Sequence, residues 1–119
     1  MIRPVILVVD DDAPILLLMK NLLREYGFEA VPASSGGQAL DEARKRTPNL
    51  ILLDRNMPGM NGDEVLRELR SDDVLAEVPV LILSGAPMDP EEIRAIGATG
   101  AVLKPFDVIA LVETIRKYV

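Results

Sequence analysis

With 119 residues, 49% of them hydrophobic, the chain carries the apolar content of one compact domain with a full core, and a second domain is not expected. A formal charge of -6 argues against a basic face for nucleic-acid phosphates, and the absence of any run of about twenty apolar residues or of a signal peptide gives an expectation of a cytoplasmic protein without membrane contact. Cysteine and histidine counts of 0 remove disulfides, thiolate metal sites, the usual general base and the preferred zinc ligand, so any metal here is held by oxygen.

In chain order, strand and helix alternate. Val5–Val9 is a continuous, largely β-branched run, the pattern of a strand buried on both faces, and it ends at Asp10, Asp11 and Asp12. Asp12 reads as a helix N-cap with Pro14 just inside the first turn; Ile15, Leu18, Met19, Leu22, Leu23 and Tyr26 then recur at helical spacing until Gly27. Residues 28–32 suit a short edge strand blunted by Pro32. Ser35 or Gly36 opens a second helix carrying Ala39, Leu40 and Ala43, closed before Pro48.

The apolar run 50–53 ends abruptly at Asp54, and Pro58, Gly59 and Gly62 forbid regular continuation, so a buried strand delivers a carboxylate into a loop. Asn61 can cap a helix through Arg70, with Glu64 at the capping-box position and Val65, Leu66 and Leu69 inward; 71–77 reads as a polar surface connection. The run 80–83 ends at Ser84. Asp89 and Pro90 start a short helix bounded by Gly97 and Gly100, and 101–103 ends at Lys104. Asp107 caps the last helix, whose stripe is Val108, Leu111, Val112 and Ile115. Five strands and five helices in strict alternation predict an α/β fold, a doubly wound five-stranded parallel sheet with helices on both faces. Asp10 to Asp12, Asp54, Ser84 and Lys104 then share the carboxyl edge, where open α/β sheets bind ligands.

Val8-Val9-Asp10-Asp11-Asp12, Leu53-Asp54-Arg55-Asn56-Met57-Pro58-Gly59-Met60-Asn61-Gly62, Leu83-Ser84-Gly85 and Val102-Leu103-Lys104-Pro105-Phe106 together resemble, essentially end to end, the receiver domain of bacterial two-component response regulators. The resemblance implies one receiver domain over 1–119 with the flavodoxin-like strand order 2-1-3-4-5. It also implies that Asp54 is a phosphoacceptor charged by a histidine kinase or phosphotransfer protein, with Asp10 nearby acting mainly through bound water. Output then passes to a downstream protein or effector domain that the sequence does not name, and the chain is either a stand-alone regulator or the receiver portion of a longer protein.

The chemistry is consistent with elementary electrostatics. Crowded carboxylates need a counter-ion of high charge density, and Mg2+ accepts one or two carboxylates plus carbonyl and phosphate oxygens, which Asp11, Asp54 and the backbone carbonyl of Asn56 can offer. Attack by Asp54 makes an acyl phosphate; Lys104 can pair with one phosphoryl oxygen and the Ser84 hydroxyl can donate to another. Taken singly these residues have plainer readings: acids decorating a helix N-terminus, a turn serine, a surface lysine. Asp12 keeps that reading as a cap, and the others acquire a role only from their matching strand ends. Met57, Pro58, Met60, Pro105 and Phe106 are expected to shape loops and pack, and sequence does not set the isomer of the bond before Pro105.

Two departures stand out. Ala101 occupies the place where many receivers carry an aromatic that changes rotamer on activation, and Arg55 adds positive charge beside the acceptor, either as a solvated loop arginine or as a regulatory one. Asn49 stands where aspartate is frequent and is given little weight. A phosphatase of the haloacid-dehalogenase kind is disfavoured because Asn56 stands where such enzymes carry a second, acid-donating aspartate. A flavin-phosphate module is disfavoured because three carboxylates would repel the phosphate and aromatics are only 3% of the chain.

Overall fold

The computed structural model describes residues 2–119. Its elements run β1 (Val5–Val9), α1 (Ala13–Glu25), β2 (Glu29–Ala33), α2 (Gly36–Lys45), β3 (Leu50–Asp54), α3 (Gly62–Ser71), β4 (Val80–Ser84), α4 (Pro90–Ala95), β5 (Gly100–Leu103) and α5 (Val108–Arg116). The strands form one parallel sheet in the order β2-β1-β3-β4-β5, the flavodoxin-like arrangement. Strand alternation divides the core. Leu7, Val9, Ile51, Leu53, Val80 and Ile82 pack against α2 and α3, while Ile6, Val8, Leu50, Leu52, Leu81 and Leu83 pack against α1 and α5. Burial of each such side chain contributes about 1.5–3 kcal/mol, so the central strands hold the register of everything at their ends.

That register sets the site. Val9 pairs with Leu53, Asp54 with Leu83, and Ser84 with Leu103, so Asp10, Asp54, Ser84 and Lys104 emerge side by side at the carboxyl edge. At the opposite edge Asn49 has more to do than its sequence context suggests. Its side-chain oxygen accepts the Val5 N–H at 2.8 Å and its own N–H donates to the Val5 carbonyl at 2.8 Å, joining the starts of β1 and β3.

Three local expectations need correction. The second strand begins at Glu29 rather than at residue 28, because Gly27, at φ 92°, turns the chain and the Phe28 N–H is used on the Leu23 carbonyl to close α1. Pro32 consequently lies inside β2, where an edge strand tolerates the missing donor. In α1 the buried stripe is Leu16, Met19 and Leu23; Ile15 and Leu18 are exposed and line, with Phe106 and Val108, an apolar groove of about 460 Å3 beside α5. Connection 71–77 is also not wholly at the surface. The Asp72 carboxylate accepts the N–H groups of Val74 and Leu75 in a tight turn, which buries Leu75 in the core under α3.

α4 differs from the other helices: it has 6 residues and buries none of them. A helix this short has little stability of its own. Its carboxyl end is held from outside by Arg70, whose Nε donates to the Gly97 carbonyl at 2.8 Å and whose Nη1 donates to Val78 at 2.8 Å and Ala76 at 3.0 Å. Among the described residues no helix is long and apolar enough to cross a membrane.

Candidate functional site

Asp54 closes β3 and Asp10 follows β1, both buried, with exposed Asp11 beside them. One carboxylate oxygen from each of Asp10, Asp11 and Asp54 lies within 4.8 Å of the others. Burial pushes the Asp10 carboxyl above its ordinary range, and the charges of Asp54 and Asp11 add to this; the Asp12 N–H, donating to Asp10 Oδ1 at 3.0 Å, and the nearby Lys104 ammonium act the other way. The arrangement is an all-oxygen, electron-rich cup matched to a hard cation.

Lys104 reaches in from the end of β5. Its Nζ donates to Asp54 Oδ1 at 3.0 Å and stands 3.8 Å from Asp10 Oδ2, bridging the two buried carboxylates. The following bond to Pro105 is cis. The Asn56 N–H donates to Asp54 Oδ1 at 3.4 Å, so the loop after β3 curls back over the carboxylate. Ser84 sits at the neighbouring strand end, but its hydroxyl is turned along its own loop, donating to the Ala86 carbonyl at 2.7 Å. Asp10, Asp11, Asp54 and Lys104 thus stand together at one edge, while the serine hydroxyl is aimed elsewhere. Met57 packs in the core and Met60 lies against it.

α3 stands close behind. Asn61 caps it, accepting from the Glu64 N–H at 2.9 Å while Glu64 accepts from the Asn61 N–H at 3.2 Å, the reciprocal box that the sequence announces. Arg55 is not a solvated loop arginine. Its Nε and Nη2 donate to the two oxygens of Asp63 at 3.2 and 3.4 Å, and its Nη1 lies 3.7 Å from Glu92 at the start of α4. Ala101 packs on the sheet face below α4, beside a cleft of about 220 Å3 that Ser84, Met88 and Ile93 also line. The backbone-binding role of Arg70 had no sequence signal, since its partners are carbonyl groups that any residue supplies.

Comparison with known proteins agrees with the geometry. The family model of the response regulator receiver domain matches residues 6–116. The polar-differentiation response regulator DivK of Brucella anthropi is 35% identical over 115 residues, covering 95% of this chain and 94% of its own. Among solved structures, the chemotaxis protein CheY4 of Vibrio cholerae superposes with a TM-score of 0.91 at 32% identity, covering 99% of this chain and 100% of its own. The signal receiver domain of a signal transduction histidine kinase from Syntrophus aciditrophicus superposes with a TM-score of 0.86 at 26% identity, covering 97% of this chain and 89% of its own. Matched from the first strand to the last helix, the chain belongs to the response regulator receiver domains, the phosphoacceptor switches of two-component signalling.

Proposed function

We propose that Asp54 is the phosphoacceptor of this receiver, charged by a histidine kinase or a phosphotransfer protein, and that its phosphorylation alters a face read by a downstream protein or effector domain. The observation that carries this reading is Asp54 itself: a buried strand-end carboxylate bonded to Lys104 at 3.0 Å and clustered with Asp10 and Asp11. An Asp54 oxygen attacks the phosphorus of a phosphohistidine. The P–N bond breaks, its electron pair returns to the imidazole, and an acyl phosphate remains on the protein. The clustered oxygens of Asp10, Asp11 and Asp54 fit Mg2+; Asp11, Asp54 and the Asn56 carbonyl would hold the ion, Asp10 would act through water, and the bound ion would supply positive charge against the phosphoryl oxygens. Lys104 transfers its hydrogen bond from the free carboxylate to a phosphoryl oxygen, and Ser84 turns from the Ala86 carbonyl to another. The same groups assist later hydrolysis of the acyl phosphate. Incubation with Mg2+ and acetyl phosphate, followed by mass measurement, tests the reading: a single phosphoryl adduct is expected, and no adduct would reject it.

Reorienting Ser84 breaks its bond to Ala86, so loop 84–89 and α4 are the segments that respond; α4, β5 and α5 form the output face. Ala101 has no rotamer to turn, and the cleft beside it leaves the loop room to move. Lys104→Ala is therefore expected to accept phosphate yet lose phosphorylation-dependent partner affinity. Normal coupling in that variant would refute the role of the lysine.

Magnesium binding only the native state should raise the melting temperature. Free Mg2+ at ten times its dissociation constant adds about 1.4 kcal/mol, which for a domain of this size is roughly 4–8 °C. Thermal scans of Asp11→Ala should show most of that shift gone; an undiminished shift places the metal elsewhere. The pH dependence has a definite sign. Because burial raises Asp10, its contribution to metal-free stability is fully present below the ordinary carboxyl range and is lost as pH rises through the raised value. A protonated Asp10 also no longer offers its negative charge to the ion and the ion's water. Lowering the pH from neutrality should therefore shrink the magnesium shift.

A further inference from the structure

Building on Asp54 as phosphoacceptor, we propose that Arg55 is a strap tying the start of α4 to the acceptor loop, and that phosphorylation of Asp54 loosens it. Arg55 directly follows Asp54, and its guanidinium joins three elements: the loop after β3, α3 through Asp63, and α4 through Glu92. The two arms are unequal. Asp63 receives two hydrogen bonds, at 3.2 and 3.4 Å, whereas Glu92 is held only by an ion contact at 3.7 Å, beyond hydrogen-bond reach. The Glu92 arm therefore yields first.

The sign of the response follows from charge. A phosphoryl group adds about one to two negative charges next to Arg55. It attracts the guanidinium and repels the Glu92 carboxylate, and both effects lengthen the weaker contact. α4 is poised to feel this because it buries no residue, while its other end is pinned through Gly97 to Arg70. Release at Glu92 therefore tilts α4 about Gly97 instead of freeing it. Arg55 is a positioning residue in this scheme; it touches neither the carboxylate cup nor Lys104 within bonding distance.

The test is amide hydrogen exchange of the whole chain, read at Glu92 and Ile93, whose N–H groups bond to the side chain and backbone of Asp89. With no phosphoryl mimic present, Arg55→Gln and Glu92→Gln should each exchange faster there, about two- to fivefold for Arg55→Gln, the factor expected of a partly exposed ion pair. The double variant should exchange no faster than Glu92→Gln alone. Beryllofluoride with Mg2+ should accelerate the same amides in the parent protein and accelerate them less in Arg55→Gln, where only the Ser84 loop still transmits the change. Parental exchange in Arg55→Gln, or an undiminished beryllofluoride response in it, overturns the strap. A beryllofluoride shift at Gly85 without any change in α4 exchange overturns the release alone. No shift at Gly85 in the parent overturns the reading of Asp54 and the release with it, while the free variants still decide whether the strap exists.

Discussion

Asp54→Asn is expected to abolish the magnesium-dependent phosphoryl adduct completely while leaving the fold in place. The amide is nearly isosteric with the carboxylate but a poor nucleophile, and its oxygen can still accept from Lys104 Nζ and the Asn56 N–H, both of which converge on Asp54 Oδ1. Removing this charge relieves Asp10 of a neighbour that raises its carboxyl, so the substitution also eases a repulsion. It takes away a metal oxygen as well, and the melting shift produced by Mg2+ should shrink in the same variant. Adduct yield by mass, together with a parental circular dichroism spectrum, checks all of this. An equal yield from the variant means that another residue is the acceptor, and a collapsed spectrum means that the carboxylate is structural.

Much of this site could be read from the chain because it depends on where hydrophobic runs stop. A buried parallel strand needs an unbroken apolar segment, and the first polar residue after it must emerge at the carboxyl edge. Asp54, Asp10, Ser84 and Lys104 are each such a residue, so their convergence follows once the strands are parallel and in register. The Asn61 and Glu64 box is legible for a similar reason, being a local motif with both partners three residues apart.

What was not legible depends on long side chains or on packing without a period. Residues 15–19 of α1 are all apolar, so more than one stripe fits a helix, and only contact with the sheet selects Leu16, Met19 and Leu23. Arg55 and Arg70 reach across the fold to α4 and its following turn, and nothing near them in sequence marks those partners. Leu75 is buried because the Asp72 carboxylate folds a polar-looking segment inward, which composition alone represents as a surface loop. The Ser84 hydroxyl shows a further limit: position at a strand end does not fix a rotamer, and here the serine bonds its own loop.

In the sequence Gly62 reads, with Pro58 and Gly59, as a breaker of the strand before it, and the structure gives a different reason for it. Its backbone does not need left-handed freedom; the turn residue with positive φ is Gly59, at 75°. Gly62 begins α3, and a Cβ there would stand 2.7 Å from the Asp54 carbonyl oxygen and 2.8 Å from the Arg55 Cα. Both contacts are to backbone, so no side chain can swing aside; either α3 or the acceptor loop must move. Overpacking of this kind costs about 1–3 kcal/mol, offset by roughly 0.5–1 kcal/mol from the better helix former. Gly62→Ala should therefore lose on the order of 1–2 kcal/mol net, and its adduct should form more slowly because the backbone that must shift includes the Asp54 carbonyl. Gly37→Ala is the matched control: it also lies in the first turn of a helix, and its added Cβ meets nothing within 4 Å. That variant should gain a few tenths to about 1 kcal/mol and keep the parental adduct rate. Urea unfolding and adduct kinetics on both variants decide the point. If Gly62→Ala is as stable and as reactive as Gly37→Ala, the approach of α3 to the acceptor loop does not constrain the position of Asp54.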